Sequence, residues 1–178
     1  MSEGGLGLST TQIGVIYGTF GTVAFVAGSI LGGYYIAQKG LKKALIYLVA
    51  AFNLPFAVYA LLAVYQPDSV TIIGAAVVLE YFGYGFGFVG LMLFMMQQVA
   101  PGKYKMAHYA FATGINNLGF MIPSMLSGYF SVMLGYKIFF IWVLVATIPA
   151  FFAAYFVPFG NPDNKEQKEI DDSNKNDV

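Results

Sequence analysis

One carboxylic acid, Glu80, stands deep inside an apolar run that reads SVTIIGAAVVLEYFGYGFGFVGLMLFMM. On a helix that turns 100° per residue, Glu80, Gly83, Gly87 and Gly90 fall in a wedge of about 80°. Tyr84 lies one turn on, at the edge of the same face. An acid at the centre of a lipid-embedded helix costs about 3 kcal/mol on insertion scales for comparable charges, and such residues mark ion or substrate handling or face a packed protein interior. Two readings of Glu80 follow. It is a protonatable acid lining a cavity beside a closely packed helix, or it is hydrogen-bonded to a neighbouring helix for packing alone. The glycines favour close backbone approach.

A second polar set lies further along the chain. Thr113, Asn116, Asn117, Ser124 and Ser127 share an arc of about 100°, with Phe111, Leu118, Met121 and Met125 on the opposite surface. In lipid a polar face must meet protein or water. These residues form either a hydrogen-bonding wall for a polar solute or interhelical contacts worth about 1 kcal/mol or less per bond. Asn116 and Glu80 each lie about 15 Å from one end of their runs, near the depth at which transporters bind substrate. His108, the single histidine, is either a proton relay, since imidazole titrates near neutrality, or an interfacial anchor. Asn53 with Pro55 offers a further polar break, and Pro123 and Pro149 can kink their runs and free backbone carbonyls. Tyr81, Phe82, Tyr84, Phe86 and Phe88 cluster mid-run, suited to ring stacking or to packing against lipid.

The elements that must carry these groups are long and apolar. Of 178 residues, 58% are hydrophobic and 10% charged, against about 25% charged in soluble domains. Five runs reach the ~20 residues that cross a bilayer: 11–37, 41–65, 70–99, 106–134 and 138–157. They break at Lys39-Gly40, Gln66-Pro67-Asp68, Pro101-Gly102-Lys103 and Gly135-Tyr136-Lys137. The expected fold is an all-α membrane protein with a five-span bundle over residues 1–160. Residues 161–178, polar and free of aromatics, read as a disordered tail. Lys39, Lys42, Lys43, Lys103, Lys105, Lys165, Lys168 and Lys175 all fall on one side of that bundle, and Lys137 on the other. The positive-inside rule places the N-terminus outside and the tail in the cytoplasm. MSEGGLGLSTTQ has no basic n-region or cleavage site, so no removed leader is expected.

Several classes are disfavoured. Zero formal net charge leaves no footprint for nucleic acid. Zero cysteines and one histidine leave no basis for a Cys- or multi-His metal site. No Walker loop, HExxH, GxSxG or paired carboxylates occur, so neither an enzymatic reaction nor a cofactor is expected.

The segment GSILGGYYIAQKGLKKAL resembles the cytoplasmic loop that recurs in each half of major facilitator superfamily transporters. Gly33 matches the leading glycine and Lys42-Lys43 the basic pair of this gating loop; Ala37 and Gln38 stand where its acid would be. LGLSTTQIGVIYGTFGTVAFVAGSILGG and VVLEYFGYGFGFVGLMLFMMQQVAPGKYKMAHYAFATGINNLG are similar to the AmpG-type muropeptide permease branch of that superfamily. There an acid-containing, Gly-rich helix leads through a short loop to a helix of the form QFALLSAL; here that helix starts HYAFATGI.

The resemblance implies that the five spans are helices eight to twelve of a twelve-helix transporter, a partial C-terminal six-helix bundle. Glu80 would be the branch's acid in helix ten. It implies proton-coupled symport of a small polar solute, a sugar-peptide such as a muropeptide, across the bacterial inner membrane. Glu80 would carry the proton, Thr113, Asn116 and Asn117 would bind solute, and Tyr84 would pack on a ring. The partners are then the lipid bilayer, the solute, the proton and the N-terminal bundle that the chain lacks. Because alternating access needs two bundles, the chain alone is expected not to transport. The rival expectation is a non-transporting scaffold or regulator derived from a degenerate transporter.

Overall fold

The computed structural model describes residues 8–67 and 69–160, all helix or short connection. The proposed disordered tail, with Lys165, Lys168 and Lys175, lies outside the described residues. Five helical stretches are long and apolar enough to cross a membrane: α1 (Thr10–Lys39), α2 (Leu41–Tyr65), α3 (Val70–Val99), α4 (Lys105–Leu134) and a fifth span, Lys137–Phe156. The fifth is built from α5 (Tyr136–Ala146) and α6 (Ile148–Phe156). These positions agree with the apolar runs to within a few residues, because each run is bounded by residues that cannot continue it.

The ends are specified locally. α1 opens on a capping box, in which the Gln12 amide N–H donates to Ser9 Oγ and the Ser9 amide N–H to Gln12 Oε1. Between Gly14 and Gly21 its backbone widens into a π-helical stretch. α1 and α2 are separated by Gly40 alone, whose φ of 76° is open to glycine and strained for other residues. The short basic loop expected there is thus one residue, and Lys42 and Lys43 belong to the first turn of α2. Gly135 plays the same part before α5, with φ 75°.

The fifth span is broken at Thr147. Pro149 has no N–H for the Val145 carbonyl four residues back, and the helix breaks where the Thr147 amide and Oγ1 both donate to the Leu144 carbonyl. α4, by contrast, runs on through Pro123 as one helix.

The described residues form two compact units: 8–90 with 128–156, and 91–127 with 157–160. In the first, α2 is central, packing against α1, α5 and α6 and burying Leu41, Ala44, Leu45, Leu48, Val58 and Leu62. On α3, Ile73 and Val77 are both essentially inaccessible. α3 is held by backbone contact on two sides. Gly83, Gly87 and Gly90 lie against Leu48, Ala51, Phe52 and Leu54 of α2, so the face computed from helical spacing is the α2-facing side. Gly85 lies on the Phe25 carbonyl of α1, while Gly28 and Gly32 of α1 lie on the carbonyls of Phe82 and Phe86. Small residues at such spacing let helix backbones approach when no hydrophobic drive separates protein from lipid. Ser29 Oγ donates to the Gly85 carbonyl at 3.2 Å and the Phe25 carbonyl at 2.9 Å.

In the second unit the end of α3 forms a π-helical turn over Met95–Val99. The chain after α6 returns to it: the Gly160 amide donates to Gln98 Oε1 and Phe159 meets Phe94 edge-on. The Tyr109 hydroxyl of α4 donates to Met92 Sδ at 3.2 Å.

Candidate functional site

Glu80 sits on α3 one turn before Gly83, at the start of the glycine seam against α2. Its side chain is 7% exposed, the only buried charged or polar residue among those described. Tyr59, projecting from α2, donates its hydroxyl to Glu80 Oε1 at 2.7 Å. Glu80 Oε2 is buried with no hydrogen-bond partner among the described residues. An unpaired buried oxygen carries an unrecovered desolvation cost.

Local sequence explains the geometry. Pro55, inside α2, leaves the Ala51 carbonyl without its intrahelical donor. That carbonyl lies against Gly83, where a Cβ would come within 2.8 Å of it. Asn53 Nδ2 donates to the Val49 carbonyl at 2.8 Å one turn earlier. The Tyr59 ring stacks on Phe140 of α5, centroids 5.8 Å apart, which fixes the hydroxyl from a third helix.

Beside the acid lies a cavity of about 430 Å³, lined by Thr22 and Phe25 of α1 and by Glu80, Tyr81 and Tyr84 of α3. Tyr84 stacks on Phe52 at 5.0 Å and on Phe88 at 5.8 Å, and meets Phe25 at 5.7 Å. Tyr81 meets Tyr17 edge-on. The site therefore combines a carboxyl, hydroxyls and aromatic surfaces in an otherwise apolar setting. Among the described residues no group of three His, Cys, Asp or Glu gathers to hold a metal ion.

The remaining sequence candidates are placed as follows. Glu80 and Tyr84 share the cavity. Thr113, Asn116 and Asn117 lie on α4, in the second unit. Thr113 Oγ1 donates to the Tyr109 carbonyl at 2.8 Å, Asn116 is half-buried and Asn117 exposed. Ser124 and Ser127 likewise bond carbonyls of their own helix, and α4 buries no residue. His108 is exposed in the first turns of α4, edge-on to Tyr104. Gly33 lies on α1, where an added Cβ would stand 4.0 Å from Val89, while Lys42 and Lys43 are exposed on α2. Tyr59 is the site residue that sequence reasoning missed; its signal, a tyrosine one turn beyond Pro55 in an apolar span, is shared by many aromatics in this chain.

The description of the Major Facilitator Superfamily matches residues 3–176, nearly the whole chain. The chain belongs to the major facilitator superfamily. With five helices among the described residues long and apolar enough to cross a membrane, this facilitator chain is a multi-pass membrane protein. It is similar to three rickettsial proteins. It is 26% identical to "Putative transporter AmpG 2" of Rickettsia prowazekii over 86% of this chain and 37% of that protein. It is 25% identical to "Putative transporter AmpG 4" of Rickettsia conorii, over 83% and 35%. It is 22% identical to "Putative transporter AmpG 1" of Rickettsia bellii, over 78% and 33%. The facilitator chain thus spans about a third of the length of these relatives. No solved structure gives a significant match.

Proposed function

We propose that this facilitator chain is part of a secondary active transporter that moves a polar solute together with protons across the bacterial inner membrane. The carrying observation is Glu80: a buried acid with one oxygen bound by Tyr59 and the other unpaired, on the wall of a cavity with aromatic sides. In this reading Glu80 takes up and releases the coupling proton, and Tyr84 offers its ring to the solute. Thr113, Asn116 and Asn117 supply hydrogen bonds to the solute, and His108 relays protons toward the cytoplasm. Gly33, Lys42 and Lys43 belong to a loop that moves as the site changes sides. The lysine distribution supports an N-terminus outside and a C-terminus in the cytoplasm.

Similarity to the AmpG-named relatives supports a sugar-peptide of the muropeptide type as the solute, moving inward. Their greater length supports a second helical bundle as the partner that completes the path. Transport by rocking bundles needs both. Liposomes holding only these 178 residues should show no saturable, gradient-driven uptake, and the same helices joined to the complementary bundle should accumulate labelled muropeptide in preference to simple sugars. Uptake by the shorter chain would refute the need for a partner. Absence of uptake by the joined protein, with insertion intact, would favour the scaffold or regulator reading.

A further inference from the structure

Glu80 is met by one hydroxyl from a neighbouring helix, with a further tyrosine standing behind it. Tyr59 of α2 donates to Oε1 at 2.7 Å. Tyr17 of α1 is a neighbour of both Tyr59 and Tyr81, and Tyr81 follows Glu80 on α3. With Tyr84, which lines the same cavity, these tyrosines are the titratable groups around the acid; the lysines of this unit that the structure describes, Lys39, Lys42, Lys43 and Lys137, stand at helix ends. Tyr59 is also the anchored one, because its ring is stacked on Phe140 of α5 at an interplanar angle of 29°. Its hydroxyl is therefore delivered to one carboxyl oxygen by a ring that two helices hold.

We propose that Tyr59 is the positioning residue of Glu80: its hydroxyl engages Oε1 permanently, so that Oε2 is the atom at which the carboxyl gains and loses its proton. The step is a plain proton exchange. An O–H bond forms at Oε2 with a proton delivered by hydronium, water is the other product, and Tyr59 keeps its own proton. In the protonated acid Oε1 is then the carbonyl oxygen and still accepts from Tyr59. This proposal rests on the proton-handling reading of Glu80 given above, but it makes a statement about one bond that can be tested without transport.

The test is infrared titration of the full chain in lipid nanodiscs from neutral to acid pH. Glu80→Gln removes one carboxylic carbonyl band and so assigns it. Tyr59→Phe keeps the ring stacked on Phe140 and removes only the donor, and the assigned band should move to higher wavenumber as the carbonyl loses its O–H partner. In the complete transporter, the same variant should lower proton-driven turnover about tenfold, the scale of one charge-assisted hydrogen bond, with KM little changed. A band that stays in place in Tyr59→Phe overturns the proposal. If Tyr59→Phe fails to insert, Phe140→Leu loosens the ring while keeping the hydroxyl, and should broaden the band; an unaltered band there also overturns it. A displaced band without proton-driven uptake leaves the positioning role standing and sinks the transport reading. Intact coupling with an unmoved band does the reverse.

Discussion

Gly87→Ala gives the sharpest test of how α3 is held. A Cβ built on Gly87 lies 2.5 Å from the Leu48 carbonyl oxygen, 2.5 Å from Phe52 Cβ and 2.7 Å from the Phe52 nitrogen. These neighbours belong to the α2 backbone or to its first side-chain atom, so no rotamer change relieves the overlap. α3 must withdraw from α2 by about 0.9 Å before ordinary van der Waals separation returns. Overpacking of this kind costs about 1–3 kcal/mol, offset by up to about 1 kcal/mol from the better helix propensity of alanine. The expected net loss is about 1–2 kcal/mol. Gly119→Ala on α4 is the matched control, since nothing lies within 4 Å of its Cβ position; it should be neutral or gain about 0.5–1 kcal/mol.

The same withdrawal, carried along α3 as a rigid rod, stretches the Tyr59–Glu80 bond from 2.7 Å to about 3.6 Å, beyond hydrogen-bonding reach. The assay is SDS titration in mixed micelles, read by the fluorescence of Trp142, the single tryptophan, which stacks on Phe130 within the first unit. The reasoning is refuted if Gly87→Ala and Gly119→Ala unfold at the same midpoint, or if Gly87→Ala leaves the Glu80 carbonyl band where it was.

Three further outcomes are expected. Glu80→Gln in the complete transporter should abolish proton-coupled accumulation while membrane insertion is kept; pH-dependent accumulation at the parental level would remove Glu80 from the mechanism. Ser29→Ala removes the donor to the Gly85 carbonyl and should lower the SDS midpoint by about 0.5–1 kcal/mol, the range of interhelical bonds in membranes, and no change would show that the glycine contacts alone fix this seam. Because the chain has no cysteine, single cysteines placed at Gln66 or Gly135 should react with an impermeant thiol reagent added outside intact cells, and one at Lys103 only after lysis; the opposite pattern inverts the proposed topology.

Legibility in the sequence followed the range of the physics involved. Span positions depend on local properties, apolar length and the residues that stop it, and α1 to α4 lie where those properties put them. The face shared by Glu80, Gly83, Gly87 and Gly90 is likewise a matter of helical angle, and it proved to be the side packed on α2. Tyr59 was invisible because its bond to Glu80 depends on the register between two helices 21 residues apart in sequence at the paired positions. That register is set by glycine–backbone contacts which spacing on one helix does not reveal. The second glycine seam was hidden for the same reason: Gly85 points away from the Glu80 face, and its meaning appears only with Gly28 and Gly32 opposite. The break at Thr147 was half legible, since Pro149 announces a lost hydrogen bond at the Val145 carbonyl but not that the Thr147 amide and hydroxyl would both turn to the Leu144 carbonyl.

The paired glycine seams also bear on how α3 can move. Helices joined by interdigitated side chains must lift apart before they shift. α3 instead presents smooth backbone to backbone at Gly83, Gly85 and Gly87, so a slide along its own axis drags few knobs out of holes, the low-friction geometry of shear motions between packed helices. The Ser29 and Tyr59 bonds are then what fixes the axial setting seen here, since the smooth seams alone would not.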